Sequence, residues 1–379
     1  MKKLLALLLA LVMVFALVAC SNGGKETETE TETETETETE TETETETETE
    51  TETQAQDVVA GVFWYDFSDA FLSTVREALD ADLTAAGITY TDYDAQNTQG
   101  TENDQVDTAI SQGANLLIVN IVDTAAIDAA QNICDKAAAA GIPIIFFNRE
   151  VDDSVINSYD QACFVGTRAA EAGEMQGDMA GDYLVANYDT VDLNGDGNLS
   201  YIMMKGELGN QEAEMRTQYS IEHANAKLAE AGKPELVYYD ANNSDKFQPS
   251  NWSKQTAFEL METALSTNPM DGDNPIEVAF ANNDDAALGV IEALNNAGWN
   301  TGSGNFIPVF GVDYTAEAQA AIEAGKMTGS ILQSATGMAD TITALAANVQ
   351  AGADVFANTE SFNVDEGVAK IRVPYEIKG

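Results

Sequence analysis

The sequence predicts an α/β fold of two doubly wound parallel sheets, each covered by helices on both faces. Three observations predict it. Short apolar runs rich in β-branched residues alternate with segments of helical length and spacing. The 326 residues that follow an N-terminal low-complexity stretch exceed what one hydrophobic core usually serves. And polar or aromatic residues recur directly after several of the apolar runs, where ligands of open parallel sheets bind.

The strand candidates, in order, are Val58 to Trp64, Ile88 to Tyr93, Asn115 to Asn120, Pro143 to Phe147, Tyr201 to Lys205, Leu236 to Asp240, Val278 to Ala281, Pro308 to Val312 and Gly329 to Leu332. Helical spacing lies between them, as in Ala70 to Ala86, Ala125 to Ala140, Ala169 to Val185 and Asp285 to Ala297. The strands are followed by Tyr65 to Phe71, Asn120 with Asp123, Glu207 to Arg216, Asn282 to Asp284, Asp313, and Gln333 with Ser334. Any one of these groups is an ordinary helix N-cap or turn. Their recurrence at one end of so many strands points to a polar cleft.

Ahead of this body the chain reads as an export segment. Lys2 and Lys3 precede an apolar run from Leu4 to Ala19, and Leu17-Val18-Ala19-Cys20 ends it. Sixteen apolar residues are too few for a membrane span, which takes roughly 20. The "LVAC" resembles the lipobox of bacterial lipoproteins, which implies cleavage after residue 19 and lipidation of Cys20. Two acyl chains give stable anchoring. Residues 26 to 53 are fourteen Glu-Thr repeats. Like charge at every second position extends the chain, and neither side of it is apolar, so residues 20–56 form a tether. Its repeats reach about 90 Å when fully extended, which suits a protein standing off the outer face of a single-membrane cell.

The net charge is −47 for the whole chain and −36 for the body alone, which excludes nucleic-acid binding by phosphate neutralisation. Beyond Cys20, only Cys134 and Cys163 remain, and both sit in apolar segments as buried free thiols. His223 is the one histidine, so histidine-based catalysis and multi-histidine metal sites are disfavoured. Gly302-Ser303-Gly304 opens no helix after a strand, and Gly325-Lys326 precedes Met327, so no phosphate loop is formed.

The most specific motif is a calcium loop. Asp192, Asn194 and Asp196 occupy loop positions 1, 3 and 5. Gly197 supplies the turn at 6, the Asn198 carbonyl stands at 7 and Ser200 at 9. Position 12, where a bidentate glutamate belongs, is Met203, so a carboxylate must come from elsewhere.

The segments "VDLNGDGNLSYIMMKGE", "VAFANNDDAALGVIEAL", "IPVFGVDYTAEA" and "IVNIVDTAA" resemble the galactose/glucose-binding proteins, two-lobed sugar receptors of ABC importers and chemotaxis. The similarity runs from about Val58 to the end. It implies a type I periplasmic binding protein fold, with an N-terminal lobe of residues 57–148 and 333–362, a C-terminal lobe of 149–332 and 363–379, and a hinge. It assigns the missing calcium ligand to Glu277, giving a structural ion held by Asp192, Asn194, Asp196, Asn198, Ser200 and Glu277. It places a sugar between the rings of Phe71 and Trp252, with Asp69, Asn120, Arg216, Asn283 and Asp313 on its hydroxyls. At three matched positions this chain departs from the family: Asn210, Glu212 and Gln333 stand where His, Asp and Asn are usual. The implied function is capture of a hexose by lobe closure and delivery to an ABC importer permease, with a chemoreceptor as a further partner and no enzymatic activity. A different monosaccharide (a pentose or an autoinducer sugar) on the same fold is the first alternative. A sugar-processing enzyme using Asp69 and Asp313 is the second.

Overall fold

The computed structural model describes residues 55–378. The expected export segment, Cys20 and the Glu-Thr repeats lie outside the described residues. Among those described, no helix is long and apolar enough to cross a membrane.

The first stretch alternates strand and helix: β1 (Val59–Trp64), α1 (Ala70–Ala85), β2 (Thr89–Asp94), α2 (Gln99–Ser111), β3 (Leu116–Val119), α3 (Ile127–Ala140), β4 (Ile144–Phe147), α4 (Asp153–Ile156) and β5 (Ala162–Gly166). The chain then builds α5 (Ala169–Val191), β6 (Ser200–Lys205), α6 (Gln211–Glu230), β7 (Val237–Tyr238), β8 (Gln248–Pro249), α7 (Lys254–Thr267), β9 (Val278–Ala281) and α8 (Asp284–Asn296). It ends with β10 (Val309–Asp313), α9 (Ala316–Glu323), β11 (Gly329–Gln333), α10 (Ala335–Gln350), β12 (Lys370–Arg372) and β13 (Tyr375–Lys378).

These strands make two sheets. The first runs β12-β5-β4-β3-β1-β2 and is parallel throughout. The second runs β13-β11-β10-β9-β6-β7, with β8 also on β6, and is parallel except for the antiparallel β13. Each sheet starts in the middle and winds outward both ways, so each has a switch point, between β1 and β3 and between β6 and β9, where a ligand crevice opens. The fully buried runs Leu116–Val119 and Ile144–Phe147 show why: strands covered on both faces must be apolar at every position.

The chain crosses between the lobes at 167–168, at Ser334 and at 373–374. This moves all three boundaries expected from sequence, the middle one by a single residue because Gln333 ends β11 of the second sheet. The first crossing falls after residue 166, not after 148, because β5 pairs with β4 in the first sheet. The last falls after residue 372, not after 362, because β12 pairs with β5. Cys134 and Cys163 are both buried and free, as expected.

Helix α5 carries Gly173, Gly177 and Gly181 on one face. A Cβ at these positions would stand 2.9 Å from the Met215 carbonyl oxygen, 2.5 Å from His223 Cβ and 2.5 Å from Lys227 Cβ. Glycine costs a helix interior about 1 kcal/mol against alanine, and here it lets α6 lie directly on α5. That contact fixes the N-terminal half of α6, which carries Glu212 and Arg216.

Buried Glu102 on α2 fixes the loop after β3. Its Oε2 accepts from the Val122 N–H at 3.2 Å and from Gln99 at 2.8 Å, while Oε1 has no partner among the described residues. Burial pushes its carboxyl from 4.5 up to about 7, with those hydrogen bonds opposing. The folded state therefore keeps a proton that the unfolded chain has released. The stability this supplies is fully present below pH 4.5 and is lost as pH rises through about 7. Glu102→Gln should flatten that decline by on the order of 3 kcal/mol in urea unfolding followed from pH 4.5 to 7.5. A slope identical to the parent's would show an ordinary carboxyl.

Candidate functional site

A cavity lies between the lobes at the C-terminal ends of both sets of strands. Nine of the residues expected from sequence line it: Asp69, Phe71, Asn210, Glu212, Arg216, Trp252, Asn283, Asp313 and Gln333.

Several serve as helix caps as well. Asp69 Oδ1 accepts from the Leu72 N–H at 2.8 Å and caps α1, while its Oδ2 accepts from the Tyr65 hydroxyl at 2.7 Å. Asn210 caps α6 through Ala213 N–H, and its amide reaches Thr124 of the first lobe at 3.2 Å. Asn283 caps α8 through Ala286 N–H and donates to the Trp252 carbonyl at 3.0 Å. The turn chemistry and the cleft chemistry are one arrangement: each cap residue spends one side-chain atom on its helix and ties the other to a neighbouring segment at the cavity wall.

Arg216 lies at the base. Its Nη1 donates to the Asn282 carbonyl at 2.9 Å, and its Nη2 donates to Gln333 Oε1 at 3.1 Å and to the Tyr375 hydroxyl at 2.9 Å. Desolvation alone would depress this guanidinium, but Tyr375, Asp313 and Glu212 outweigh it and hold it above its usual value. Burial pushes the Asp313 carboxyl well up, with Arg216 opposing. Glu212 is raised by burial and by Glu150, again against Arg216.

Three residues of the wall sit in left-handed backbone: Asn148 at φ 59°, Trp252 at 64° and Asp313 at 114°. Such strain gathers where surrounding structure over-determines a functional side chain. Trp252 also depends on Gly206, whose Cβ, if present, would stand 2.5 Å from the indole ring.

Three wall residues were not singled out by sequence: Leu72, Asn148 and Arg149, while Tyr65 was marked only as the start of the run that follows the first strand. Leu72 directly follows the recognised Phe71. Asn148 and Arg149 directly follow β4, the same signal that marked the others. Arg149 stacks over Tyr65, 4.2 Å from the ring centroid, and donates to the Val122 carbonyl and to Glu207 across the cleft. Asn120 lies behind the wall instead of on it. It donates to the Phe147 carbonyl and Asn148 Oδ1 and accepts from Tyr65 N–H, so it holds wall residues in place.

Five buried polar atoms of the wall have no partner among the described residues: Arg149 Nε, Arg216 Nε, Gln333 Nε2, Trp252 Nε1 and Glu212 Oε2. Four donors and one acceptor around one cavity are matched to a ligand rich in hydroxyls.

The expected calcium loop has the backbone its sequence requires, with Gly195 at φ 70° and Gly197 at 85°. Buried Glu277 comes to it from the segment before β9 and accepts from Leu193 N–H and Ser200 N–H, both at 2.7 Å. Asp192 accepts from Gly195 and Gly197 N–H. Asp196 N–H donates to Asn194, and Asn198 N–H donates to Asp196. The Ser200 hydroxyl is engaged with the Pro275 carbonyl. Among the described residues no three acidic, histidine or cysteine side chains converge closely enough to hold a metal. The loop and its glutamate are thus assembled, and the carboxylates are turned to loop N–H groups.

Two α/β lobes joined by three crossings, with an unsatisfied polar cavity between them, define a two-lobed solute receptor. The sequence profile of the periplasmic binding protein domain matches residues 59–354, and the chain belongs to that family of solute-binding proteins; it is not an enzyme. It is 34% identical over 322 residues to the D-galactose/methyl-galactoside binding periplasmic protein of Haemophilus influenzae, covering 85% of this chain and 89% of that one. It is 29% identical to a putative rhizopine-binding protein of Rhizobium meliloti, over 72% and 77% of the two chains. Among solved structures, an ABC transporter solute-binding protein of Bacillus halodurans with bound myo-inositol superposes with a TM-score of 0.63 at 27% identity, over 86% and 95%.

Gly206→Ala should displace the Trp252 indole, shifting its emission to the red and raising acrylamide quenching. Spectra identical to the parent's would show that the ring has room for a Cβ.

Proposed function

We propose that the cleft binds a single pyranose, a hexose of the galactose or glucose kind, and that the protein hands it to an ABC importer permease. The observation that carries this is the set of five unpartnered polar atoms around a cavity walled by Phe71 and Trp252. A pyranose has C–H faces for aromatic contact and a rim of hydroxyls that need donors and acceptors. The relative that carries D-galactose in its name supports the hexose. The myo-inositol in the B. halodurans structure favours a second reading, a cyclitol, which presents the same rim of hydroxyls without a ring oxygen. Asn210, Glu212 and Gln333 decide between them. A site built to pair hydroxyls penalises each unmatched group by about 1–3 kcal/mol.

Three further elements belong to the same proposal. The protein is held outside the membrane by lipid on Cys20 and the Glu-Thr tether. Its closed form is what the permease reads, and a chemoreceptor could read it by the same surfaces. Calcium binds the 192–200 loop with Glu277, holding the β6 and β9 strand starts together; it takes no part in ligand chemistry. Supporting the ion are the ligand spacing and the clamp of Glu277 on both ends of the loop.

Titration calorimetry with D-galactose, D-glucose, D-xylose, D-ribose and myo-inositol tests the reading. The expected result is micromolar or tighter binding of one hexose, weakened at least a hundredfold in Arg216→Ala. Heat with myo-inositol alone would install the cyclitol in its place, and heat with none would sink the monosaccharide reading. A chelator should lower the melting temperature, with calcium restoring it; an unchanged melt would remove the ion.

A further inference from the structure

Two of the three chain crossings between the lobes touch one guanidinium, and the other reaches it through Tyr375. Gln333 is the last residue of β11, immediately before the second crossing, and its Oε1 accepts from Arg216. Tyr375 is the first residue of β13, immediately after the third, and its hydroxyl accepts from the same Nη2. Gln333 and Tyr375 face each other across the antiparallel ladder. The first crossing joins through Thr167, whose hydroxyl lies 2.6 Å from that of Tyr375. Arginine only donates, so the phenolic oxygen accepts there and its own proton is free for Thr167.

We propose that Tyr375 is a positioning residue for ligand capture, coupling the orientation of Arg216 to the angle between the lobes. This rests on the reading of the cleft as the ligand site. Thr167 follows a strand of the first lobe and Tyr375 begins a strand of the second, so their hydrogen bond straddles the pivot. Rotation of the lobes strains it, and with it the hold on Nη2. Only while that bond is made is the arginine, whose Nε has no partner among the described residues, held in one orientation at the base of the cavity. Conversely, a ligand that engages Nε favours the lobe angle at which the Thr167–Tyr375–Arg216 chain is complete. The ring of Tyr375 also packs with Ala172, Val312 and Ile331, a role that phenylalanine would keep, so the hydroxyl can be tested by itself.

The test compares wild type, Tyr375→Phe and Thr167→Val, the second variant breaking the pivot bond without touching Arg216. Stopped-flow dissociation of D-galactose and interlobe distances from spin labels at exposed Asp128 and Glu262 are the two readouts. We expect both variants to release D-galactose about tenfold faster, with association changed less than twofold. Their ligand-free distance distributions should be broader than wild type at a similar melting temperature. Wild-type release rates with wild-type distances in either folded variant would overturn the proposal. If wild type binds D-glucose and not D-galactose, release is followed with D-glucose; if it binds neither, the hexose reading fails and the ligand-free distances decide: broadening supports the coupling, and superimposable distributions reject it.

Discussion

The structure depends on keeping one buried guanidinium satisfied. Arg216 is almost wholly removed from water, and a charge in that position is tolerated only with dedicated partners. The Asn282 carbonyl, Gln333 and Tyr375 provide them, and Asp313 and Glu212 supply the field. No single strand or helix could collect that set. It comes together only where the ends of β9, β10 and β11, the start of β13 and the N-terminal half of α6 converge, which is also where the lobes join. The demand for partners ties the ligand cavity to the hinge.

The remaining wall follows from an economy of turns. In a parallel sheet every strand ends by handing its chain to a helix, and that helix needs a cap. Asp69 and Asn283 cap the helices after β1 and β9, and Asn210 does so after β6. Each places a polar side chain at the mouth of a crevice that the sheet order already opens. Interlobe contacts then extend from these turns: Asn210 to Thr124, Arg149 to Glu207, and Glu150 N–H to Glu212 at 3.3 Å. The cavity wall and the contacts between lobes share their residues.

Much of this was legible in the sequence, and for a physical reason. Strands buried on both faces leave unbroken apolar runs, so the cores of both sheets could be read directly. Strands β5, β8, β12 and β13 could not. Ala162–Gly166 is short and ends in glycine, and Lys370–Arg372 puts two cations in a strand. Their charges are neutralised by Glu150 and Asp153, which are distant in sequence, and by nearby Asp365. Missing β5 and β12 misplaced two crossings, since a lobe boundary is defined by which sheet a strand joins. The cap residues of the cleft were legible because turn chemistry is local. Arg149 carried the same position after a strand, but its role comes from Tyr65 and Glu207 on other segments. Asn120 looked like a wall residue because it ends a strand, and only packing shows it one layer back. Gly206 carries no signal of its own, as its value lies in the space it leaves to Trp252.

The central claim is that two lobes hinged about Arg216 close on a small neutral polyol or sugar. Small-angle scattering of the protein with and without saturating D-galactose, D-glucose and myo-inositol tests it most directly. The account predicts that at least one of them compacts the two-lobed body, with a smaller radius of gyration and a narrower pair-distance distribution, and that Arg216→Ala abolishes the change. Profiles that superimpose for all three ligands at saturating concentration would contradict it.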